Sequence, residues 1–220
     1  VFYSPYFSHP SPLVKRKKGF LTPTYYSNVF LGESFDLPYY YPLNDFHDFT
    51  LIPKFSSSKN PVVQIEHRKN FKNGKINSNI SGTQTKLKEK DKFRGHIRSK
   101  GDFDINNNTR WRYSLERTTD RNYLQSYKYN YEDTLDSNFT IESFRNNNYY
   151  SLGSNWFQEL RPSFNQSETP LITPRIIAKV SSENNLNSMN YSSNFEFLTL
   201  TREEGSDLSK VFLLNNIEFP

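Results

Sequence analysis

The chain has no cysteine among its 220 residues. Disulfide bridges, zinc–thiolate centres and cysteine nucleophiles are therefore excluded within this segment, although the absence does not identify a cellular compartment. No run of about 18 apolar residues is present, so the sequence predicts no transmembrane helix. A glycine-rich phosphate-binding loop is also missing, and nucleic-acid binding has no support beyond a mild net charge of +5.

Aromatic residues are abundant in a chain that is otherwise polar. They make up 16% of the residues, with 15 tyrosines and 19 phenylalanines, whereas disordered chains are poor in aromatics. A low mean hydropathy combined with many aromatics in short alternating segments is typical of an outer-membrane β-barrel. The strands of such a barrel face lipid on one side and water on the other, so the average hydropathy cancels.

The first 18 residues differ in composition from the rest. A short aromatic run is followed by a Pro/Ser stretch and by the basic cluster 15–18, which is typical of a strand that ends one domain and continues into a linker. The basic cluster is either a solvated turn or a contact with an anionic surface. Because the chain begins with Val1 and shows no leader, we expect it to be a fragment of a longer precursor.

From residue 24 onward the sequence alternates with a period of two. Apolar or aromatic residues alternate with polar or charged ones over 49–55, 93–98, 110–116 and 127–132. Successive side chains of a strand point to opposite faces, so each segment is predicted to have one aromatic and one charged face. Clusters of Asn, Asp, Ser and Gly separate the segments and predict short turns, and we find no amphipathic helix and no fixed-period repeat.

The predicted fold is all-β: an antiparallel transmembrane β-barrel built from hairpins. We count roughly twelve segments, each near the ~9–11 residues that cross a bilayer at a tilt. A soluble β-sandwich also alternates, and the period alone does not separate the two folds. The many hairpin-linked strands with Tyr and Trp near their ends favour the barrel, because aromatic girdles lie at membrane interfaces.

Asp45, His47 and Asp48 share one predicted loop. They are either a catalytic or metal-binding group at a barrel rim or, more simply, turn-forming residues. Converging ligands need support from neighbouring side chains that a short polar turn does not supply, so we favour the second interpretation. His67 and His96 are isolated in the sequence and are interpreted as ordinary histidines.

Four arginines lie on the charged side of the predicted strands: Arg94, Arg98, Arg110 and Arg112. If that side faces a barrel lumen, the guanidinium groups offer donors to phosphate or acidic sugars and are candidate substrate contacts. The alternative is an ordinary polar lumen in which these arginines pair with glutamates. Neither a metal site nor a cofactor is predicted.

The order of short motifs resembles one family of outer-membrane proteins. Its first part is carried by Gly19, Phe20, Leu21, Pro23, Gly32, Pro38, Tyr39, Tyr40, Asp48, Thr50, Leu51, Pro53 and Phe55. The segments RWRYSLERTTDRNYLQSY (110–127), SFRNNNYYSLGSNWFQELRP (143–162), TPLITPRI (169–176) and LTLTREEGSD (198–207) follow in the same order. This colinear set resembles the LptD family of lipopolysaccharide-assembly proteins, also called organic solvent tolerance proteins, and most of all its alphaproteobacterial members.

The resemblance implies a protein with a periplasmic β-jellyroll followed by an outer-membrane barrel of about 26 strands. Residues 1–18 are then expected to be the end of the jellyroll and a linker, and residues 19–220 the first half of the barrel. The implied activity is not enzymatic: it is the delivery of lipopolysaccharide to the outer leaflet of the outer membrane. The implied partners are lipopolysaccharide, outer-membrane lipid, an LptE-like lipoprotein plug and a periplasmic LptA-like bridge protein.

Three prolines lie where the resemblance implies a lateral gate. Barrel closure pairs the first strand with the last, and in the family this seam opens. Pro38 and Pro42 are expected in the first strand and Pro53 in the second, where each removes a ladder donor that contributes about 0.5–1.5 kcal/mol. In the alternative interpretation these prolines only end strands or protect an edge from aggregation.

Two other functions remain compatible with the residues. One is a passive porin-like channel or receptor barrel, in which charged residues at a constriction set selectivity. The other is a barrel enzyme that uses Asp45, His47 or Asp48 at its rim.

Overall fold

A computed structural model describes residues 16–87, 90–182 and 190–218. Most of the expected jellyroll end and linker, residues 1–18, lies outside the described residues. The strands are β1 (Gly19–Phe20), β2 (Thr24–Asn28), β3 (Gly32–Asp36), β4 (Tyr39–Asn44), β5 (His47–Ser56), β6 (Val62–Phe71), β7 (Gly74–Leu87), β8 (Lys90–Asn106), β9 (Thr109–Thr118), β10 (Thr134–Arg145), β11 (Asn148–Glu159), β12 (Leu171–Ser182), β13 (Asn190–Thr201) and β14 (Leu208–Glu218). The helix α1 (Tyr123–Ser126) and a 3₁₀ turn (Gln166–Glu168) complete the elements.

All the strands belong to one antiparallel sheet, which confirms the predicted all-β class. The order is β1–β4–β5 and then β6 to β14 in sequence, while β2 pairs with β3 and β3 pairs with β5. Sequential hairpins produce this order, since tight turns leave each strand beside its predecessor. Within the described residues the sheet is open, with β14 at one edge and β1 and β2 at the other.

Asparagine closes many of the turns, which explains part of its abundance. In the β4–β5 turn, the Phe46 amide donates to Asn44 Oδ1 at 2.9 Å, and the Asn108 amide donates to Asn106 Oδ1 at 2.9 Å in the β8–β9 turn. Asn146 takes a φ of 50° in the β10–β11 turn. Asn tolerates this left-handed conformation and bonds to its own backbone, so it suits tight hairpins.

Two parts of the sequence prediction are wrong. The described residues contain fourteen strands rather than about twelve, because the short β1, β2 and β3 precede the long ones. Residues 127–132 form no strand and instead follow α1. Their alternation arises because Tyr127 and Tyr129 both pack inward against neighbouring aromatics.

The buried core is a small cluster at one end of the sheet. It consists of Leu31, Val62, Tyr123, Leu124, Tyr127, Leu135 and Leu160, with Tyr26 and Tyr129 packed against it. Its centre is the inner segment, residues 119–133, which connects β9 to β10 and contains α1. The Tyr123 hydroxyl lies 2.6 Å from Ser81 Oγ of β7, so the inner segment lies against the face of the sheet that carries Ser81.

None of the helices in the described part of the chain is long and apolar enough to cross a membrane.

Candidate functional site

One face of the sheet is polar from strand to strand. The pairing register joins Asp48, Arg68, Asn77, Lys100, Ser114, Asn138 and Asn155 in one row across β5 to β11. Residues paired directly across antiparallel strands share a face. We call this the polar face, and it includes Ser81 and His96, which pair with each other in a neighbouring row.

The opposite face is mainly apolar, most clearly over strands β8 to β14. A second row joins Phe103, Trp111, Ile141, Leu152, Ile176, Phe197 and Val211 across β8 to β14. Leu152 is 48% exposed and Val211 is 66% exposed. A row of exposed apolar side chains of this length is typical of a surface that contacts lipid or protein. We call this the apolar face.

The four candidate arginines all lie on the polar face, and each is paired with a carboxylate. The N–O distances are 2.7 Å for Arg94–Asp120, 3.7 Å for Arg98–Glu116, 2.9 Å for Arg110–Glu142 and 2.7 Å for Arg112–Glu142. This is the arrangement expected of a polar lumen with internal ion pairs. It is also compatible with substrate contact, because a guanidinium has five N–H donors.

The four arginine side chains differ in their solvent exposure. Those of Arg110 and Arg112 are 39% and 44% exposed, whereas those of Arg94 and Arg98 are 15% and 21% exposed. Arg94 is held by the inner segment through Asp120, and Arg98 donates to the Asn130 carbonyl at 2.7 Å. Arg110 and Arg112 therefore keep more free donor surface.

The inner segment is tied to the polar face by buried hydrogen bonds. Ser81 Oγ lies 2.7 Å from His96 Nδ1 and 2.6 Å from the Tyr123 hydroxyl. Burial raises the pKa of Tyr123 to about 12. Partial burial also raises the pKa of Asp120, but the hydrogen bonds and charge of Arg94 outweigh it and hold that pKa below its usual value.

The β2–β3 hairpin packs against the inner segment. Leu31 in its turn belongs to the buried cluster and Tyr26 packs on it. The Tyr26 hydroxyl donates to Asp36 Oδ1 at 3.2 Å, and Lys54 Nζ lies 3.2 Å from Asp36 Oδ2. The hairpin, strand β5 and the inner segment are thus joined at the N-terminal edge of the sheet.

Strand β5 changes its partner along this edge. Its residues 47–51 pair with β4, whereas residues 54–56 pair with β3. Pro53 lies between these two stretches, and its carbonyl accepts from the Leu37 amide at 3.1 Å. In an antiparallel ladder the N–H and C=O of one residue point to the same neighbour. Pro53 therefore leaves the ladder without one backbone N–H donor at the place where β5 changes from β4 to β3.

The other two prolines do not interrupt the β4–β5 ladder. Pro38 precedes β4, which corrects its expected position in the first strand, and its carbonyl accepts from the Leu21 amide at 2.9 Å on the β1 side. The backbone N–H and C=O groups of residues two apart in a strand point to the same neighbouring strand. The backbone of Pro42 is therefore directed to the same side as that of Pro38, where β1 lies, but past the two residues of β1 that pair with β4, Gly19 and Phe20. A register shift in β4 follows Pro42.

The cluster of Asp45, His47 and Asp48 does not converge. Asp48 is on the polar face, where it binds Arg16 at 2.9 Å and Arg68 at 2.8 Å. His47 is on the opposite face, and its Nε2 lies 2.9 Å from Nε2 of His67, so His67 is not isolated. In the described ranges no three His, Cys, Asp or Glu side chains are placed to hold a metal ion.

Sequence reasoning missed the residues that organise this arrangement. Glu142 accepts from Arg110, Arg112 and the Tyr149 hydroxyl, and the inner segment fills the end of the polar face. The unusual run of tyrosines with Asp120 and Arg121 was a usable signal for the segment. No local signal identifies Glu142, because its arginine partners are 30 and 32 residues away.

Comparison with known proteins identifies the family. The family model described as LptD, LPS transport system D, matches residues 92–220, which is more than half of the chain. The chain belongs to the LptD family. This confirms the resemblance based on the colinear motifs.

Individual members match over most of the chain. An LPS-assembly protein LptD from Methylococcus capsulatus is 29% identical over 186 residues, which cover 77% of this chain and 17% of that protein. The LPS-assembly protein LptD of Idiomarina loihiensis is 26% identical over 165 residues, 73% of this chain and 21% of that protein. The LPS-assembly protein LptD of Shewanella frigidimarina is 29% identical over 141 residues, which cover 62% of this chain and 18% of that protein. The chain spans about a fifth of the length of these curated LptD relatives.

Proposed function

We propose that this chain is part of an outer-membrane β-barrel that assembles lipopolysaccharide into the outer leaflet, without enzymatic chemistry. Membership of the LptD family supports the activity, since the matched relatives are LPS-assembly proteins. The observation that carries the membrane placement is the sheet with two opposite faces, one polar and one mainly apolar. Lipid would cover the apolar face, and the polar face would line the lumen.

The domain organisation follows from the same proposal. Residues 1–18 would be the periplasmic end of a jellyroll with its linker, and residues 19–220 the first half of a barrel of about 26 strands. The open edges at β4 and β14 would be covered by strands from the rest of the polypeptide. An LptE-like lipoprotein would plug the lumen, and an LptA-like bridge protein would deliver lipopolysaccharide from the periplasm.

The N-terminal edge would act as the lateral gate. Pro38 and Pro53 lie beside the place where β5 exchanges β4 for β3, and Pro42 lies further along β4, opposite Asp48. Pro53 has no backbone N–H to donate at that exchange. Pro42 likewise has no N–H to donate to a strand that pairs with β4 on the β1 side. Both features weaken pairing at the seam, so lipid could leave sideways while the sugars stay in water.

The arginines would form a polar lining for the sugar and phosphate groups. We expect Arg110 and Arg112 to contact the lipopolysaccharide, because their side chains are the more exposed. Arg94 and Arg98 would mainly hold the inner segment. Glu142 would keep Arg110 and Arg112 in place and leave their remaining N–H donors open to the lumen.

A pair of photo-crosslinking variants in the full-length protein tests the gate in cells. One replaces Tyr41 of β4 and the other replaces Tyr150 of β11, because both tyrosines lie on the apolar face with 44% and 40% exposure. Lipopolysaccharide adducts concentrated at position 41 are expected. Equal labelling at both positions, or none at either with normal surface lipopolysaccharide, would exclude the gate.

A further inference from the structure

A pair of glycines on the apolar face is covered by one aromatic ring. Gly82 of β7 and Gly95 of β8 pair directly, and the ring of Phe93 lies over both. A Cβ added at Gly82 would come within 2.8 Å of this ring, and one added at Gly95 within 3.1 Å. The aromatic ring replaces the packing that the two missing side chains would provide. It stands out from the sheet as a ridge, with Phe93 62% exposed.

A groove runs along each side of this ridge. The larger, of about 590 Å³, is lined by Pro61, Val63, Ile65 and Ile80. The smaller, of about 290 Å³, is lined by Ile80, Gly95, Ile97 and Arg117. Both lie on the apolar face, and Phe93 is a wall of each.

Arg117 places a cation at the end of the smaller groove. It pairs with Ile97 in the β8–β9 ladder, so it belongs to the apolar face, one residue before β9 ends at Thr118. Its Nη1 atom is buried and has no hydrogen-bond partner. The charge of Asp136 attracts the guanidinium, but the two side chains form no ion pair among the described residues. The four arginines of the polar face each have a carboxylate within ion-pair distance, although Arg98 Nε is likewise buried without a hydrogen bond.

We propose that the ridge, its two grooves and Arg117 form a binding site for one glycerophospholipid. The phosphate would accept hydrogen bonds from the Arg117 guanidinium, which is suited to bidentate binding of phosphate. One acyl chain would lie on each side of Phe93. A guanidinium that lies beside apolar grooves and forms no ion pair with a carboxylate is suited to an anionic group at its accessible donors. Lipopolysaccharide fits less well, because its lipid anchor has more chains than the two grooves would hold.

This site would lie away from the N-terminal edge, on the wall formed by β6 to β9. It rests on the proposed placement of the apolar face in lipid but not on the gate. Arginine on the lipid side of a barrel is best tolerated near the interface, which agrees with its place at the end of β9. A lipid held there would pack against both sides of the Phe93 ring, which covers the glycine pair.

Native mass spectrometry of the full-length protein in detergent tests the proposal. Phosphatidylglycerol, lipopolysaccharide and inorganic phosphate are added separately, and the retained adducts are counted. One phosphatidylglycerol should be retained by the wild type, and Arg117→Gln should weaken its retention by about tenfold. Lys69→Gln is the matched control, because Lys69 is a cation on the same face that lies 4.6 Å from the Phe71 ring at the other end of β6. It should bind as the wild type does.

A second variant separates the grooves from the charge. Val63→Trp fills the larger groove at a position that is 48% exposed, so it should reduce phosphatidylglycerol retention with Arg117 intact. Folding of each variant is checked by the heat-dependent gel shift of the barrel. Retention that is equal in wild type, Arg117→Gln and Val63→Trp would overturn the proposal, as would preferential retention of lipopolysaccharide or of phosphate alone. If one of these overturning results is obtained while lipopolysaccharide still crosslinks at position 41, the phospholipid site is excluded but the proposed function is not.

Discussion

At the scale of single residues, Glu142 is the acceptor on which two candidate arginines meet. It is buried and accepts from Arg110 Nε at 2.9 Å, from Arg112 Nη2 at 2.7 Å and from the Tyr149 hydroxyl at 2.9 Å. Loss of the carboxylate would leave two neighbouring guanidinium groups without their shared counter-charge. Glu196, whose only ion pair in the described chain is with the half-exposed Arg175, offers a contrast.

We expect Glu142→Gln to lower the free energy of unfolding by about 1–2 kcal/mol, since the loss of charge-assisted hydrogen bonds is partly screened at the exposed arginines. Glu196→Gln should change it by less than about 0.5 kcal/mol. Urea unfolding of the full-length protein in vesicles measures both. Equal effects of the two variants would show that Glu142 has no special role in the polar face.

The Arg94–Asp120 ion pair predicts a dependence on pH. Arg94 holds the pKa of Asp120 below its usual value of 3.8 despite burial. A lowered folded-state pKa means that the stabilisation is present above the usual pKa and is lost as pH falls through the folded value. Urea unfolding followed from about pH 6 down to about pH 2 should therefore show an acid-induced loss that Asp120→Asn reduces. Asp45→Asn, a change at an exposed turn residue, should leave the pH profile as in the wild type.

At the scale of elements, the inner segment links distant strands. It lies between β9 and β10, yet its Leu124 and Tyr123 share one buried cluster with Leu31 of the β2–β3 hairpin. Since that hairpin pairs with β5, the packing of the inner segment helps to hold the edge proposed as the gate. The local stability of the hairpin should follow that of the segment.

Leu124→Ala tests this coupling. Leu124 is fully buried, and such a truncation destabilises a core by about 2–5 kcal/mol. Hydrogen exchange should become faster in residues 24–36 as well as in residues 119–133. Tyr25→Ala, at a hairpin position that is 65% exposed, should leave exchange in residues 119–133 unchanged. Faster exchange confined to residues 119–133 in Leu124→Ala would show that the hairpin is held independently.

At the scale of the whole molecule, the sheet has two faces of different polarity. The apolar row from Phe103 to Val211 and the polar row from Asp48 to Asn155 follow from one continuous register. Strand β14 is exposed along its whole length, as expected of an edge that awaits another strand. The two faces make a prediction that does not depend on the gate.

Leu152→Arg and Asn155→Arg place the same charge on opposite faces of β11. The first should destabilise the barrel in vesicles by about 2–4 kcal/mol if it lies near the bilayer centre. The second should be tolerated, because Asn155 lies on the polar face and already donates to Asp136 Oδ1 at 3.3 Å. Folding yield and urea unfolding in lipid vesicles measure both effects. A tolerated Leu152→Arg with a damaging Asn155→Arg would reverse the assignment of the faces.

Much of the fold could be predicted because its signals are local. The alternation in 49–55, 93–98 and 110–116 corresponds to β5, β8 and β9, and the Asn-rich clusters mark real turns. The same rule failed at 127–132, where the tyrosines alternate because they pack inward around α1. Periodicity records which side chains avoid water, and either a strand or an inward-folded loop can satisfy it.

The sequence by itself determined the all-β class, the hairpin order and the family, because strand period, turn chemistry and colinear motifs are properties of neighbouring residues. Only the tertiary structure decided how those strands meet. It placed His47 beside His67, joined Glu142 to its two arginines, left Nη1 of Arg117 unpaired and put Pro53 where β5 changes partner. These contacts depend on the register between strands, which turns, bulges and the packing of the inner segment set together.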